Sequence, residues 1–212
     1  MTYDEAVRVY SYILRVDAGY APNPFHGRCT LACCKPVIRR EASVGDWVLG
    51  ITPKAQGNRV AYAMHVKEVL PFASYWRDPR FRDKRPRRAR GASTVERRGD
   101  NCYRPLSGGR FRQLPSCHWD SEGERENPIS KATDLGGEHV LIAEEFCYYG
   151  AEAVALPRNL RFAIPGRAHL VNFSDARKEK LIEFLESLPR GRHGLPAVWP
   201  VEEAPRPGPR CV

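Results

Sequence analysis

Asp17, Asn23, His26, Cys29, Cys33 and Cys34 crowd one short stretch of the chain, and each side chain can do chemistry. A carboxylate, an amide and an imidazole carry donors and acceptors that match the edge of a nucleobase. The carboxylate of Asp17 and the imidazole of His26 can also move a proton, and a thiol such as Cys29 beside an imidazole can act as a nucleophile. Asp17, His26 and Cys29 are therefore the candidate catalytic groups, with Arg28 and Lys35 close enough in sequence to favour a thiolate. Pro22 and Pro24 fix φ at about −65° and push their predecessors into extended backbone. Gly19 and Gly27 permit turns that a Cβ would block. The loop is thus stiff before a ligand arrives. The same composition also makes an ordinary rigid turn, in which Asp17 caps its own backbone and the cysteines are small apolar side chains.

Other chemistries find no support in the spacing. The HxxC and CxxxC steps from His26 through Cys29 to Cys33 have no matching second pair, and Cys102, Cys117, His118 and Cys147 follow irregularly, so no metal is expected. No cofactor is expected either: Gly108-Gly109 lacks the spacing and lysine of a phosphate loop, and GxSxG and HExxH are absent. Seven cysteines, an odd number, argue against a disulfide framework and for a reducing cytoplasm. The N-terminal residues carry acids and no apolar core of a secretory signal, and no apolar run is long enough to span a membrane.

The net charge of +9 is concentrated. Residues 77–98 hold ten Lys or Arg against Asp78, Asp83 and Glu96, and nine of the ten are arginine. A guanidinium fork matches phosphate and stacks on bases, so Arg80, Arg82, Arg85, Arg87, Arg88 and Arg90 are candidate phosphate contacts on a nucleic acid or nucleotide partner. Tyr75 and Trp76, beside these arginines, and Phe25 in the cysteine loop are candidate stacking rings for a base held by Asp17, Asn23 and His26. A solvated basic loop that only aids solubility is the bland alternative.

The elements that must position these residues follow from periodicity. Residues 7–16 read as an interior strand, residues 35–42 as a short helix with Pro36 in its first turn, and residues 46–51 as a second strand entered at Gly45. Alternation across residues 59–70 predicts one strand with a single buried face. Ser74 can cap a helical turn that Asp78-Pro79 ends, and residues 83–137 read mostly as loop. Residues 139–150 return to strand, and 159–164 add another. Ser174 caps an amphipathic helix carrying Leu181, Ile182, Leu185 and Leu188, ended by Pro189. The chain therefore reads as one domain over residues 1–188 with a basic loop insertion at about 77–137, followed by a Pro-rich, disordered tail over 189–212. The fold class is α+β: a small, mostly antiparallel, partly open β-barrel with flanking helices.

The run DAGYAPNPFHGRCTLACCKPVIRR (residues 17–40), with VGDWVLG, AYAMHVKEV, SYWRDPRF, GDNCY and VLIAEEFCYYG after it, resembles the nucleotide modification associated domain 2 family over about residues 9–150. The resemblance implies a role beside phage and bacterial systems that build or handle modified DNA bases, and it supplies no reaction. The shorter pattern Gly45-Asp46-Trp47 with Leu49-Gly50, then a strand ending Lys67-Glu68-Val69, is similar to PUA-like and EVE-type domains, small β-barrels that hold a nucleobase in a pocket. Three readings stand: a module that binds a modified nucleobase or nucleotide in DNA modification or phage defence, an enzyme that uses the same pocket, and a basic interaction module with no pocket. Oligomeric state is not legible.

Overall fold

Period-two alternation builds two sheets that face each other across a shared core. The computed structural model describes residues 7–120 and 124–200. Its larger sheet runs in the order β10 (His169–Leu170), β1 (Val9–Ile13), β3 (Trp47–Ile51), β4 (Val60–His65), β9 (Phe146–Tyr148), β11 (Gly191–Arg192). A second sheet runs β2 (Cys29–Leu31), β8 (His139–Ala143), β5 (Glu68–Pro71), and a hairpin pairs β6 (Tyr103–Pro105) with β7 (Phe111–Gln113). Tyr10, Tyr12, Val48, Tyr62, Met64 and Tyr148 of the first sheet meet Cys29, Leu31, Leu141 and Ala143 of the second in one cluster. Their chain neighbours Val9, Trp47, Leu49, Ala63 and Cys147 turn to the opposite face and pack on Leu181 and Leu185 of α5 (Asp175–Ser187). On the far side of the second sheet, Val140 and Ile142 pack on Phe72 and Tyr75 of α2 (Phe72–Arg77) and on Phe81, Cys102 and Tyr103. Each buried Val, Leu, Ile or Met contributes about 1.5–3 kcal/mol.

The fold is α+β with mixed, open sheets. β1 pairs β3 in parallel, as β11 does β9, and the remaining pairs are antiparallel. No closed barrel forms among the described residues. The reason lies at residues 66–67: Val66 N still bonds Asp46 O (2.8 Å) in the first sheet, while Lys67 N bonds Ile142 O (2.9 Å) in the second. The expected single strand over 59–70 thus becomes β4 and β5, which join the two sheets as a corner. β4 is buried on both faces, not one. Gly50 permits the pairing opposite Tyr62, because a Cβ there would stand 2.3 Å from the tyrosine ring.

Several expectations hold and others are corrected. α1 (Pro36–Glu41) starts at Pro36, and α5 follows Ser174 as its N-cap residue. Asp46 accepts from Ser43 N (2.9 Å) and Arg8 N (2.8 Å), fixing the turn at Gly45. α2 begins at Phe72 after Pro71, so Ser74 is internal and not its cap. Residues 158–163 form a 3-10 helix, not a strand: Leu160 and Ala163, three apart, fall on its buried side. The tail is ordered through Pro200, since β11 pairs with β9 and Val198 N bonds Asp17 O (2.8 Å); the rest, 201–212, lies outside the described residues. No helix of the structure is long and apolar enough to cross a membrane.

The basic insertion is also built in, with a 3-10 helix over Pro79–Lys84, α3 (Thr94–Arg97), the β6–β7 hairpin and α4 (Pro128–Leu135). Lys84 anchors it. Its ammonium, 1% exposed, donates to Asn23 O (3.1 Å), Asn23 Oδ1 (2.7 Å) and Arg28 O (2.9 Å). Burial pulls its pKa down to about 8, against the opposing pull of the Asp100 carboxylate. Because the folded value lies below the ordinary 10.5, the unfolded chain binds more protons between those limits, and stability rises with pH across that window. Wild type should therefore gain up to about 3 kcal/mol relative to Lys84→Met between about pH 8 and 10.5. Denaturant melts of both proteins across that range measure the difference, and a pH-independent difference would refute the buried ammonium.

Candidate functional site

The loop residues do not converge on one cavity. Asp17, 6% exposed, accepts from Tyr148 Oη (2.6 Å), Gly19 N (3.3 Å) and Ala197 N (3.4 Å), and it faces a small pocket lined also by Thr52, Gly150 and Val198. Burial raises its pKa, although the Tyr148 hydrogen bond opposes this. It is not the exposed strand-end acid that the sequence suggests, because residues 196–198 fold across it. Asn23 is spent on structure: its amide donates to Gly19 O (3.1 Å) and Arg98 O (3.0 Å) and accepts from Lys84. Cys29 is fully buried, and burial drives its thiol pKa far up. No hydrogen bond or ion pair joins His26 to a cysteine or to Asp17 among the described residues. His26 instead borders a cleft of about 570 Å³ with Phe25, Phe146, Glu144, Arg190 and Arg192.

The two candidate rings beside the basic block part company. Tyr75 is buried, with its hydroxyl on Asp100 Oδ1 (2.8 Å) and its ring 4.6 Å from that of Phe81. Trp76 is half-buried under the guanidinium of Arg85, 4.1 Å from its ring centroid. The arginines divide too. Arg80 pairs with Asp78 and Glu68, Arg87 with Glu96 (2.9 Å), and Arg82 stands exposed. Arg88 and Arg90 line a cleft of about 550 Å³ together with Arg97, Arg98, Thr94 and Ser116. Among the described residues, Arg88, Arg90 and Arg97 make no ion pair. α3 forms the ridge between this cleft and the His26 cleft: Thr94 and Arg97 line one, Val95 the other. A capping box of Ser93 with Glu96 fixes its start.

A third constellation brings together residues far apart in the chain. Cys34 Sγ lies 3.5 Å from His118 Nε2, and His118 Nδ1 lies 2.7 Å from Asp134 Oδ2. Asp134, fully buried on α4, also accepts from Cys34 N (2.6 Å) and Tyr103 Oη (2.7 Å). Cys34 and Lys35 both take positive φ, 58° and 43°, just before α1. The strained turn is held by the Asp134 bond and by Arg39 Nε on Cys34 O (2.7 Å). Sequence reasoning named Cys34 and His118 but did not pair them, and it missed Asp134, for which spacing offers no signal.

Cys33, His118 and Asp134 also offer three ligand atoms within 4.8 Å of one another. The donor set does not suit a cation, however: the Asp134 carboxylate already accepts three hydrogen bonds, and the buried Arg39 guanidinium donates to the Asp134 carbonyl beside it. Burial alone would lower the His118 pKa, but hydrogen bonds to Asp134 and Cys34 outweigh it and push the value up to about 10. The folded value thus exceeds the ordinary 6.5, so this stabilisation is complete below about pH 6.5 and is lost as pH rises through about 10. Relative to His118→Asn, wild type should lose up to about 5 kcal/mol across that window. Melts of the two proteins at both ends test it, and parallel profiles would contradict the pairing.

No curated protein and no solved structure matches the chain. The family model of nucleotide modification associated domain 2 matches residues 6–203, which include both clefts and the Cys34 cluster. The chain belongs to the nucleotide modification associated domain 2 family.

Proposed function

We propose that the protein binds a nucleotide or a nucleic-acid strand through the arginine cleft, as a step in handling modified bases for DNA modification or phage defence. One observation carries the reading: Arg88, Arg90, Arg97 and Arg98 line a single cleft together with Thr94 and Ser116. Guanidinium groups without a carboxylate partner are free to take phosphate oxygens, and hydroxyls complete such contacts. The neighbouring cleft suits the base. Phe25 and Phe146 supply apolar surface there, and His26 supplies a polar edge at the rim. A strand lying across α3 reaches both clefts. We place this activity in the cytoplasm, where an exposed thiol such as Cys117 on the cleft wall stays reduced.

The test is the salt dependence of binding to a fluorescent DNA oligomer. Each phosphate contact adds about 0.7–0.9 to the slope of log affinity against log salt. The triple substitution Arg88→Gln, Arg90→Gln and Arg97→Gln should therefore reduce the slope by about 2–3, whereas Arg87→Gln, whose side chain is engaged with Glu96, should leave it nearly unchanged. An unchanged slope in a folded triple variant would overturn the reading.

A further inference from the structure

We propose that Cys34 is a nucleophilic thiol, with His118 as its acid–base partner and Asp134 as the positioning carboxylate, and that the cluster performs acyl transfer to water at an amide, ester or thioester carbonyl. The proposal goes beyond phosphate binding and stands independently of it.

The geometry supplies each role. Asp134 can only accept at His118 Nδ1, so that nitrogen carries the proton and Nε2, 3.5 Å from Cys34 Sγ, faces the thiol. The same carboxylate holds the nucleophile's own backbone through Cys34 N (2.6 Å), so one buried group fixes nucleophile and base together. A non-glycine residue at φ 58° in front of a proline-started helix is costly, and such strain persists where surrounding contacts over-determine it. Cys34 is half-buried and the His118 side chain is 24% exposed. Cys29, Cys33, Cys102 and Cys147 are buried.

Several cations gather around the sulfur. Lys35, Arg39 of α1 and His118 are the cations at the cluster, with Arg15 close to Lys35; Asp134 is the carboxylate bonded to His118, and Asp17 and Asp100 act on the neighbouring Tyr12 and Cys33. Tyr12 of β1, Tyr20, Cys33, Cys102 and Tyr103 complete the titratable surroundings, and burial keeps Tyr12, Tyr20, Cys33 and Tyr103 protonated.

The position of the acid selects the reaction. A proton donor beside the sulfur serves a leaving group on the carbon being attacked, which is substitution at a carbonyl; addition to a base ring would need its donor on the far side of the ring. With the proton on Nε2, Sγ attacks the carbonyl carbon and the Sγ–C bond forms. The C–N, C–O or C–S bond then breaks as Nε2 protonates the departing amine, alcohol or thiol. Water, deprotonated by Nε2, cleaves the thioester to the acid and sulfur departs with the proton kept on Nε2, so no oxidant or further reactant is required.

Iodoacetamide labelling of the native protein from about pH 5 to 9, with each cysteine resolved by mass spectrometry, tests the nucleophile. Cys34 should label at a nearly flat rate down to about pH 6, where it should exceed Cys117 at least about tenfold. His118→Asn and Asp134→Asn should restore the steep rise of an ordinary thiol. A Cys34 profile that parallels Cys117 in wild type would overturn the proposal, even if the variants fail to fold. With p-nitrophenyl acetate as acyl donor, wild type should release a burst of about one equivalent of nitrophenolate and carry acetyl-Cys34, and Cys34→Ala should do neither. Absence of acetyl-Cys34 would overturn the acyl assignment.

Discussion

A buried ammonium ties the basic segment to the rest of the molecule. Taking a charge out of water costs several kcal/mol unless its donors are satisfied. Lys84 meets that condition with three carbonyl oxygens, two from Asn23 and one from Arg28, and with Asp100 as counter-charge. Asp100 is in turn held by Thr30 Oγ1 (2.6 Å) and Tyr75 Oη (2.8 Å), so β2, α2 and the residues around Lys84 share one polar network. Asn101 closes it by donating to Tyr75 O and Phe81 O. Without this anchor a chain segment so rich in arginine would repel itself into solvent. With it, the arginines beyond Lys84 are presented on a fixed wall.

That wall depends on the two sheets beneath it. The strand that changes sheets at residues 66–67 brings β5 to β8, and α2 follows β5 directly. α2 then covers the second sheet and delivers the chain to Lys84. On the other side of β8, α1 and α4 come together, with Arg39 donating to His139 O (2.7 Å) and to the Asp134 carbonyl. Gly137 must lack a side chain there, because a Cβ would stand 2.4 Å from that guanidinium. Cys34 and Asp134 therefore meet because one buried arginine fills the gap between their helices.

Strong local periodicity made part of this legible. β1, β3, α1 and α5 follow from a β-branched and aromatic run, a glycine turn at the strand's start, a proline start and a stripe of leucines, all local signals. The change of sheet does not, since Val66 and Val69 prolong the apolar pattern through the break. The basic insertion misleads for a physical reason: its composition is that of a solvated loop, yet the one lysine among the ten cations of residues 77–98 is buried. A compact ammonium with three donors fits a ring of carbonyls that a planar guanidinium would overfill. Asp17 misleads in the same way, because the segment that buries it lies 180 residues away. The Cys34–His118 contact spans 84 residues and leaves no spacing to read.

The cysteine loop, so conspicuous in the sequence, acts in the structure as support for both sites. Asn23 receives Lys84, which positions the arginine wall. Tyr20 does the corresponding work for the thiol cluster: its ring meets that of His118 edge-on at 4.9 Å, and its hydroxyl donates to Ser116 Oγ (3.3 Å), an atom that also accepts from His118 N (3.3 Å). Ser116 and Cys117 line the arginine cleft, and His118 follows them directly. One turn thus carries a wall of the cleft at its start and the imidazole at its end, braced by one tyrosine. Ser116 lines the cleft and carries the His118 backbone on its Oγ, a physical link between the two sites that neither loop composition nor residue spacing could disclose.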